Sequence, residues 1–178
     1  MQAVSMPYQD RNIYLVGMPG SGKTTLARSL ADELERKFVD LDDVIQLVEQ
    51  KTITEIFTEF GEDRFREIEA KHLRSCSSQV DTIVMATGGG TPCYHDNMDY
   101  INKQGISIYL EVPEEILTER LLKGPQNRPL LQGKSGKELL SYLGDLLAKR
   151  KPYYRRATLV FSGIEMNAGQ ILDSLAGI

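Results

Sequence analysis

Gly17-Met18-Pro19-Gly20-Ser21-Gly22-Lys23-Thr24 has the spacing G-x-x-x-x-G-K-[ST], and each residue type in it suits a phosphate group. Glycines let the backbone curl so that successive N–H groups point at phosphate oxygens. A helix N-terminus directly behind them adds the positive end of its dipole. Lys23 supplies a point charge for β- and γ-phosphates, and Thr24 supplies a hydroxyl for Mg²⁺. Gly20, Ser21, Gly22, Lys23, Thr24 and Thr25 are therefore the candidate triphosphate-binding residues. A plain glycine turn from strand to helix would need neither the Lys nor the hydroxyl.

Four other places carry chemistry. Asp40-Leu41-Asp42-Asp43 follows a short apolar pair, Phe38-Val39. Carboxylates at the C-terminal end of a strand face the ligand crevice of a parallel sheet, where they could hold Mg²⁺ through water and orient an acceptor hydroxyl. The competing reading is an acidic helix start that complements the dipole. Arg66, in Gly61-Glu62-Asp63-Arg64-Phe65-Arg66-Glu67-Ile68-Glu69, is either an anion ligand or an ion pair on a Glu-rich helix surface. Gly88-Gly89-Gly90 directly after an apolar run is costly in backbone entropy and suits close approach of a ligand to the main chain. Arg128 lies in a segment with two prolines and several glycines, residues 123–135, where a lid could close an arginine over a transferring phosphate. Guanine recognition is not supported. Asn102-Lys103-Gln104-Gly105 lacks the needed Asp and precedes a strand instead of following one.

These residues need a frame. The apolar runs 13–16, 82–86, 106–110 and 159–161 read as buried strands, and Phe38-Val39 as a shorter one. Between them lie helical patterns. Leu26, Leu30, Leu34 and Phe38 recur at a spacing of four. Thr52-Ile53-Thr54-Glu55 is a capping box, and Gly61 is a stop signal. Residues 62–75 continue as a polar helix. Pro113 stands at a helix start. Residues 138–157 and those from Gly169 onward complete the helical set. Alternation of strand and helix predicts parallel strands with crossover helices, a three-layer α/β sandwich around a five-stranded parallel sheet.

The chain has 178 residues, of which 41% are hydrophobic and 26% charged, and this balance fits one globular domain, residues 1–178, with a short N-terminal tail over 1–10 and the lid over about 123–135. A net charge of −4 argues against a dedicated nucleic-acid binder. No run reaches the length of a membrane span, and residues 1–10 are polar, unlike a signal peptide. Cys76 and Cys93 lack partners at metal-ligand spacing and read as two ordinary thiols in the cytoplasm. No broad apolar helix stripe demands a partner, so a monomer is expected.

The order of the motifs adds a family. The phosphate loop, Asp40-x-Asp42, Ile56-Phe57-x-x-x-Gly61-Glu62-x-x-Phe65-Arg66-x-x-Glu69, Thr87-Gly88-Gly89-Gly90, Arg128-Pro129-Leu130-Leu131, and Arg150 ahead of Pro152-x-Tyr154 together resemble the shikimate kinases. The likeness runs from about Asn12 to the last helix. It implies a nucleoside-monophosphate-kinase-like fold. It also implies transfer of the ATP γ-phosphoryl group to the 3-hydroxyl of shikimate, a step toward chorismate and the aromatic amino acids, with Mg²⁺ as cofactor. By resemblance, Asp42 bonds the acceptor hydroxyls and assists proton removal, and Asp40 supports Mg²⁺ through water. Arg66 and Arg150 grip the shikimate carboxylate, with Gly88, Gly89 and Gly90 lining the ring and Phe57 and Phe65 as apolar walls. Arg128 is similar to the lid arginine at the phosphates, and Arg120 to the residue stacked on adenine. The loop Asn167-Ala168-Gly169 stands where adenine contacts are expected, without the Arg and Pro that some members have there. Lys23, Asp42 and Arg128 are thus the expected catalytic residues. The alternatives are a gluconate-kinase-like enzyme and a nucleotide-binding module without catalysis.

Overall fold

The computed structural model describes residues 8–78, 81–124 and 136–178. In chain order it has β1 (Asn12–Val16), α1 (Lys23–Glu33), β2 (Lys37–Asp40), α2 (Leu41–Glu49), α3 (Ile53–Ser77), β3 (Ile83–Ala86), a 3₁₀ turn (Thr91–Cys93), α4 (Asn97–Gln104), β4 (Gly105–Glu111), α5 (Glu114–Lys123), α6 (Gly136–Tyr154), β5 (Leu159–Ser162) and α7 (Ala168–Leu175). The strands form one sheet in the order β2-β3-β1-β4-β5. Every pair is parallel, as the alternation of strand and helix requires.

Both faces of the sheet are covered, which is why the central strands read as unbroken apolar runs. Ile13 and Leu15 of β1 face α1 and α7, packing with Leu26, Leu30, Ile171 and Leu175. Tyr14 and Val16 face the other way, into a cluster with Ile45, Ile56, Leu73 and Leu143. The strand order reverses at β1, which has β3 on one side and β4 on the other. A crevice opens there at the carboxyl ends of the strands, where doubly wound sheets bind ligands.

Local signals placed most elements well. The capping box at Thr52 forms in both directions, with Glu55 N–H donating to the Thr52 hydroxyl and Thr52 N–H donating to the Glu55 carboxylate. Gly61, at φ 78° and ψ 175°, is non-helical and breaks α3 into two helical pieces across a kink, as a stop signal should. Pro113 is the N-cap of α5, one position earlier than a first-turn proline. α1 is shorter than the spacing of apolar residues implies. It closes at Glu33, Glu35 turns left-handed (φ 54°), and Arg36 N–H reaches back to the Ala31 carbonyl at 2.8 Å. Phe38 therefore belongs to β2, and its place in the series of four is incidental. In the predicted lid, Lys123 ends α5 and Gly124 is its C-cap. Residues 125–135, including Arg128, lie outside the described residues.

Candidate active site

The β1–α1 turn wraps residues 17–24 around the end of the sheet. Gly17 sits at φ 143°, and a Cβ there would stand 2.8 Å from the Leu110 carbonyl oxygen, so the loop can lie against β4 only as glycine. Lys23 opens α1. Its ammonium group donates to the carbonyls of Gly17 and Met18, each at 2.9 Å, which folds the side chain back over the loop. The Ser21 hydroxyl is buried and has no hydrogen-bond partner among the described residues.

Asp40 ends β2 and caps α2, accepting from Asp42 N–H at 3.1 Å through Oδ1. Its other oxygen, Oδ2, accepts from the Thr24 hydroxyl at 2.8 Å. The capping reading of the acidic cluster thus holds at Asp40, which also meets the phosphate loop. The pair offers a hydroxyl and a carboxylate oxygen side by side next to Lys23, a donor set that suits Mg²⁺ completed by phosphate oxygens and water. Among the described residues, no group of three or more His, Cys, Asp or Glu could hold a metal ion. A Mg²⁺ site built on one hydroxyl, one carboxylate and substrate phosphates does not require such a group. Asp43, beside them, has its carboxyl raised above the ordinary range, first by burial and then by the Asp40 charge.

Beside the phosphate loop lies a pocket lined by Pro19, Lys23, Thr24, Asp40, Asp42, Ile53, Phe57, Phe65, Arg66, Glu69, Thr87, the three glycines, Leu146 and Arg150. Arg66 is only 4% exposed, so it is not a surface ion pair. It bonds Glu69 at 3.0 Å and Glu62 at 2.9 Å, and the Tyr94 ring lies 4.4 Å from its guanidinium carbon. Burial alone would lower its pKa, but the two carboxylates outweigh burial and raise it. The Gly88–Gly90 backbone presses on these groups. A Cβ on Gly88 would stand 2.6 Å from Glu69 Oε1, and one on Gly90 would stand 2.6 Å from both Arg66 terminal nitrogens. Arg150, from α6, is also buried, and its Nη1 is 3.2 Å from where a Gly89 Cβ would lie. Phe57 and Phe65 pack together with ring centroids 4.5 Å apart and form the apolar wall.

On the other side of the phosphate loop, Gly20, Ser21, Gly22, Thr25, Arg120, Ile164, Met166 and Asn167 line a second groove. Arg120 donates to the Gly20 carbonyl at 3.3 Å and to the Ile164 carbonyl at 2.7 Å. Asn167 is the N-cap of α7 and accepts from Gln170 N–H at 3.0 Å.

Of the residues singled out by sequence, Lys23, Thr24, Asp40, Asp42, Arg66, Gly88, Gly89, Gly90 and Arg150 meet in the first pocket. Gly20, Ser21, Gly22, Thr25, Arg120 and Asn167 meet in the second. Sequence reasoning assigned no role to Glu69, Thr91 or Tyr154. Glu69 is 1% exposed, and its Oε1 accepts from the Thr91 hydroxyl while Oε2 holds Arg66. Its signal was the i, i+3 spacing from Arg66, which on a Glu-rich helix looks no different from a surface pair.

The turn of β1 into α1 and the strand order around it give this chain a P-loop, nucleoside-monophosphate-kinase-like fold. The shikimate kinase family model matches residues 19–176, and the chain belongs to that family. A shikimate kinase of Bacteroides fragilis is 44% identical over 149 residues, 84% of this chain and 83% of that one. The crystal structure of a shikimate kinase from Bacteroides thetaiotaomicron superposes with a TM-score of 0.87 at 38% identity, covering 94% of this chain and 99% of that one. Shikimate kinase from Acinetobacter baumannii in complex with shikimate gives 0.83 at 36% identity, covering 96% and 92%.

Proposed function

We propose that this chain, acting as one kinase domain, transfers the γ-phosphoryl group of ATP to the 3-hydroxyl of shikimate, giving shikimate 3-phosphate and ADP on the route to chorismate. The observation that carries the reading is the pair of buried arginines, Arg66 and Arg150, on either side of Gly88–Gly90 in a pocket shared with Lys23. Arginine forks suit a carboxylate. Among the described residues, Glu62 and Glu69 engage three of the five N–H donors on Arg66, and the other two are proposed to take the carboxylate.

In this reading the acceptor ring lies against Phe57, Phe65 and the three glycines, with its carboxylate on Arg66 and Arg150. Asp42 accepts a hydrogen bond from the attacking hydroxyl and takes its proton as the new O–P bond forms. The bond from the γ-phosphorus to the bridging oxygen breaks, and ADP leaves. Phosphoryl transfer depends on placement and charge more than on covalent chemistry. Lys23 and the α1 N-terminus stabilise the transferring group. Thr24 and Asp40 would hold Mg²⁺, which supplies positive charge to the phosphates when bound. Arg128 is proposed as the lid arginine, and Gly20–Gly22, Thr25, Arg120 and Asn167 as the nucleotide contacts. We also propose a cytoplasmic, monomeric enzyme with no nucleic-acid or membrane partner. Supporting this are the net charge of −4 and two free thiols. Among the described residues, no helix is long and apolar enough to cross a membrane.

The test is a coupled ADP-release assay with ATP, Mg²⁺ and shikimate, beside gluconate and a no-acceptor control. Shikimate-dependent ADP release is expected. Turnover with gluconate alone would refute the acceptor assignment, and ATP binding without acceptor-dependent turnover would refute catalysis.

A further inference from the structure

Arg150-Lys151-Pro152-Tyr153-Tyr154 closes α6, and its last residue has no role in the reading above. Tyr154 has no exposed surface. Its ring stacks on Tyr109 of β4 with centroids 5.1 Å apart and planes at 28°. Its hydroxyl donates to the Gly89 carbonyl at 2.5 Å and lies 3.7 Å from Met18 Sδ in the phosphate loop. Arg150, one helical turn earlier, meets the same glycine, with Nη1 3.2 Å from where a Gly89 Cβ would lie. One buried phenol oxygen therefore touches both the glycine loop and the phosphate loop, beside an arginine of the same pocket.

A phenylalanine would fill the same space and stack on Tyr109 equally well. Burying a hydroxyl costs free energy unless its hydrogen bonds are made, so here the oxygen is what distinguishes tyrosine from phenylalanine. An Arg side chain also has many rotamers, and its fork reads a carboxylate only when held in one orientation. We propose that Tyr154 is a positioning residue for the acceptor: its hydroxyl fixes the Gly89 backbone, against which the Arg150 guanidinium lies, and so sets the direction in which Arg150 faces the pocket. Burial pushes the phenol pKa above its ordinary value, so the O–H remains available to Gly89 throughout the working pH range. The inference rests on reading Arg150 as a carboxylate ligand.

The experiment is a double-mutant cycle of Tyr154→Phe and Arg150→Ala, read by shikimate KM, ATP KM and calorimetric shikimate binding. Thermal melts with and without shikimate report folding and binding without turnover. Tyr154→Phe alone should raise the shikimate KM roughly tenfold, from the hydrogen bond lost at the buried Gly89 carbonyl, and move the ATP KM by no more than about twofold. In the Arg150→Ala background the same change should move shikimate binding less than about twofold, because there is no guanidinium left to position. A purely structural role predicts the same loss in both backgrounds and comparable effects on both substrates. Equal fold-changes in the two backgrounds, or an unchanged shikimate KM in Tyr154→Phe, would overturn the proposal. If Arg150→Ala itself leaves the shikimate KM unchanged, the carboxylate reading of Arg150 fails and the positioning role falls with it. If Arg150→Ala raises KM and Tyr154→Phe does not, only the positioning role fails.

Discussion

Replacing Gly90 by alanine tests the proposed acceptor role of Arg66 by displacing its guanidinium without substituting it. Gly90 has φ −89° and ψ −19°, which any residue adopts, so the substitution carries no backbone strain. Its new methyl group would stand 2.6 Å from both terminal nitrogens of Arg66 and 2.7 Å from the guanidinium carbon. Comfortable contact is about 3.5 Å, so the guanidinium must retreat by roughly 1 Å. It has little room, with Glu62 and Glu69 bonded at 2.9 and 3.0 Å and the Tyr94 ring packed on it. A bond of 3.0 Å stretched by about 1 Å is no longer a hydrogen bond. Misplacing a charged fork that should meet a carboxylate forfeits about 1.5–3 kcal/mol, or roughly 10- to 100-fold in shikimate KM. Steady-state ADP release at saturating ATP measures this directly, with ATP KM expected to move by no more than about twofold. A shikimate KM within about twofold of the parent, in protein that melts cooperatively, would refute the placement of Arg66 at the acceptor carboxylate. Gly89→Ala is the contrasting case. Its Cβ would press on Pro19 Cδ at 2.8 Å, in the phosphate loop, so both KM values should rise.

Lys23→Ala should reduce kcat by about two orders of magnitude or more, since it deletes a preorganised cation at the transferring phosphate, and near-normal kcat would remove Lys23 from that role. Glu111 accepts hydrogen bonds from Lys151 first, then Arg155 and Ser162, and these hold its carboxyl at about 2 against an ordinary 4.5. A depressed folded-state pKa means the stabilisation is complete above pH 4.5 and is lost as pH falls toward 2. Allowing for solvent screening, Glu111→Gln should cost about 1–2 kcal/mol at neutral pH and progressively less below pH 4.5, and urea melts giving the same difference at both pH values would contradict this. Thr52→Ala removes one half of the α3 capping box and should cost about 1 kcal/mol in urea unfolding; an unchanged midpoint would mean that the first turn of α3 is held by other contacts.

The sheet and the phosphate loop were legible because their signals are local. A strand buried on both faces must be an unbroken apolar run, and the phosphate loop fixes its own neighbours on either side. The end of α1 was obscured because its closing left-handed residue is Glu35, with no glycine to announce it. The acceptor pocket was legible only in part. Gly88–Gly90 stood out because three glycines after a strand have no cheap structural excuse, and the close approaches of Glu69, Pro19 and Arg66 supply the reason. Arg66 was ambiguous because a helical arginine with Glu at i−4 and i+3 looks the same from sequence whether it faces solvent or a pocket. What decides is the 3₁₀ turn after the glycines. It brings Thr91 to Glu69 across 22 residues of sequence and Tyr94 onto Arg66 across 28, and no periodicity in α3 encodes those contacts.

The charge on the acceptor pocket explains why its arginines are so firmly held. Lys23, Arg66 and Arg150 are matched in its walls by Asp40, Asp42 and Glu69. A balanced pocket does not gather anions by net potential in the way a basic cleft does. In the proposed reading it selects the anion whose oxygens fit the arginine donors that the glutamates leave facing inward. Neutralising a triphosphate is a separate task, and the groups read for it lie around the phosphate loop: the α1 N-terminus, Lys23, the Thr24–Asp40 pair and, by proposal, the lid arginine. The two tasks should separate by salt as well as by mutation. Rising ionic strength weakens attraction between exposed charges far more than contacts in a buried pocket, so added salt should raise the ATP KM well before it raises that of shikimate. Parallel rises in both would mean that the acceptor is drawn in by diffuse charge, and that Arg66 and Arg150 are not the rigid forks their burial implies.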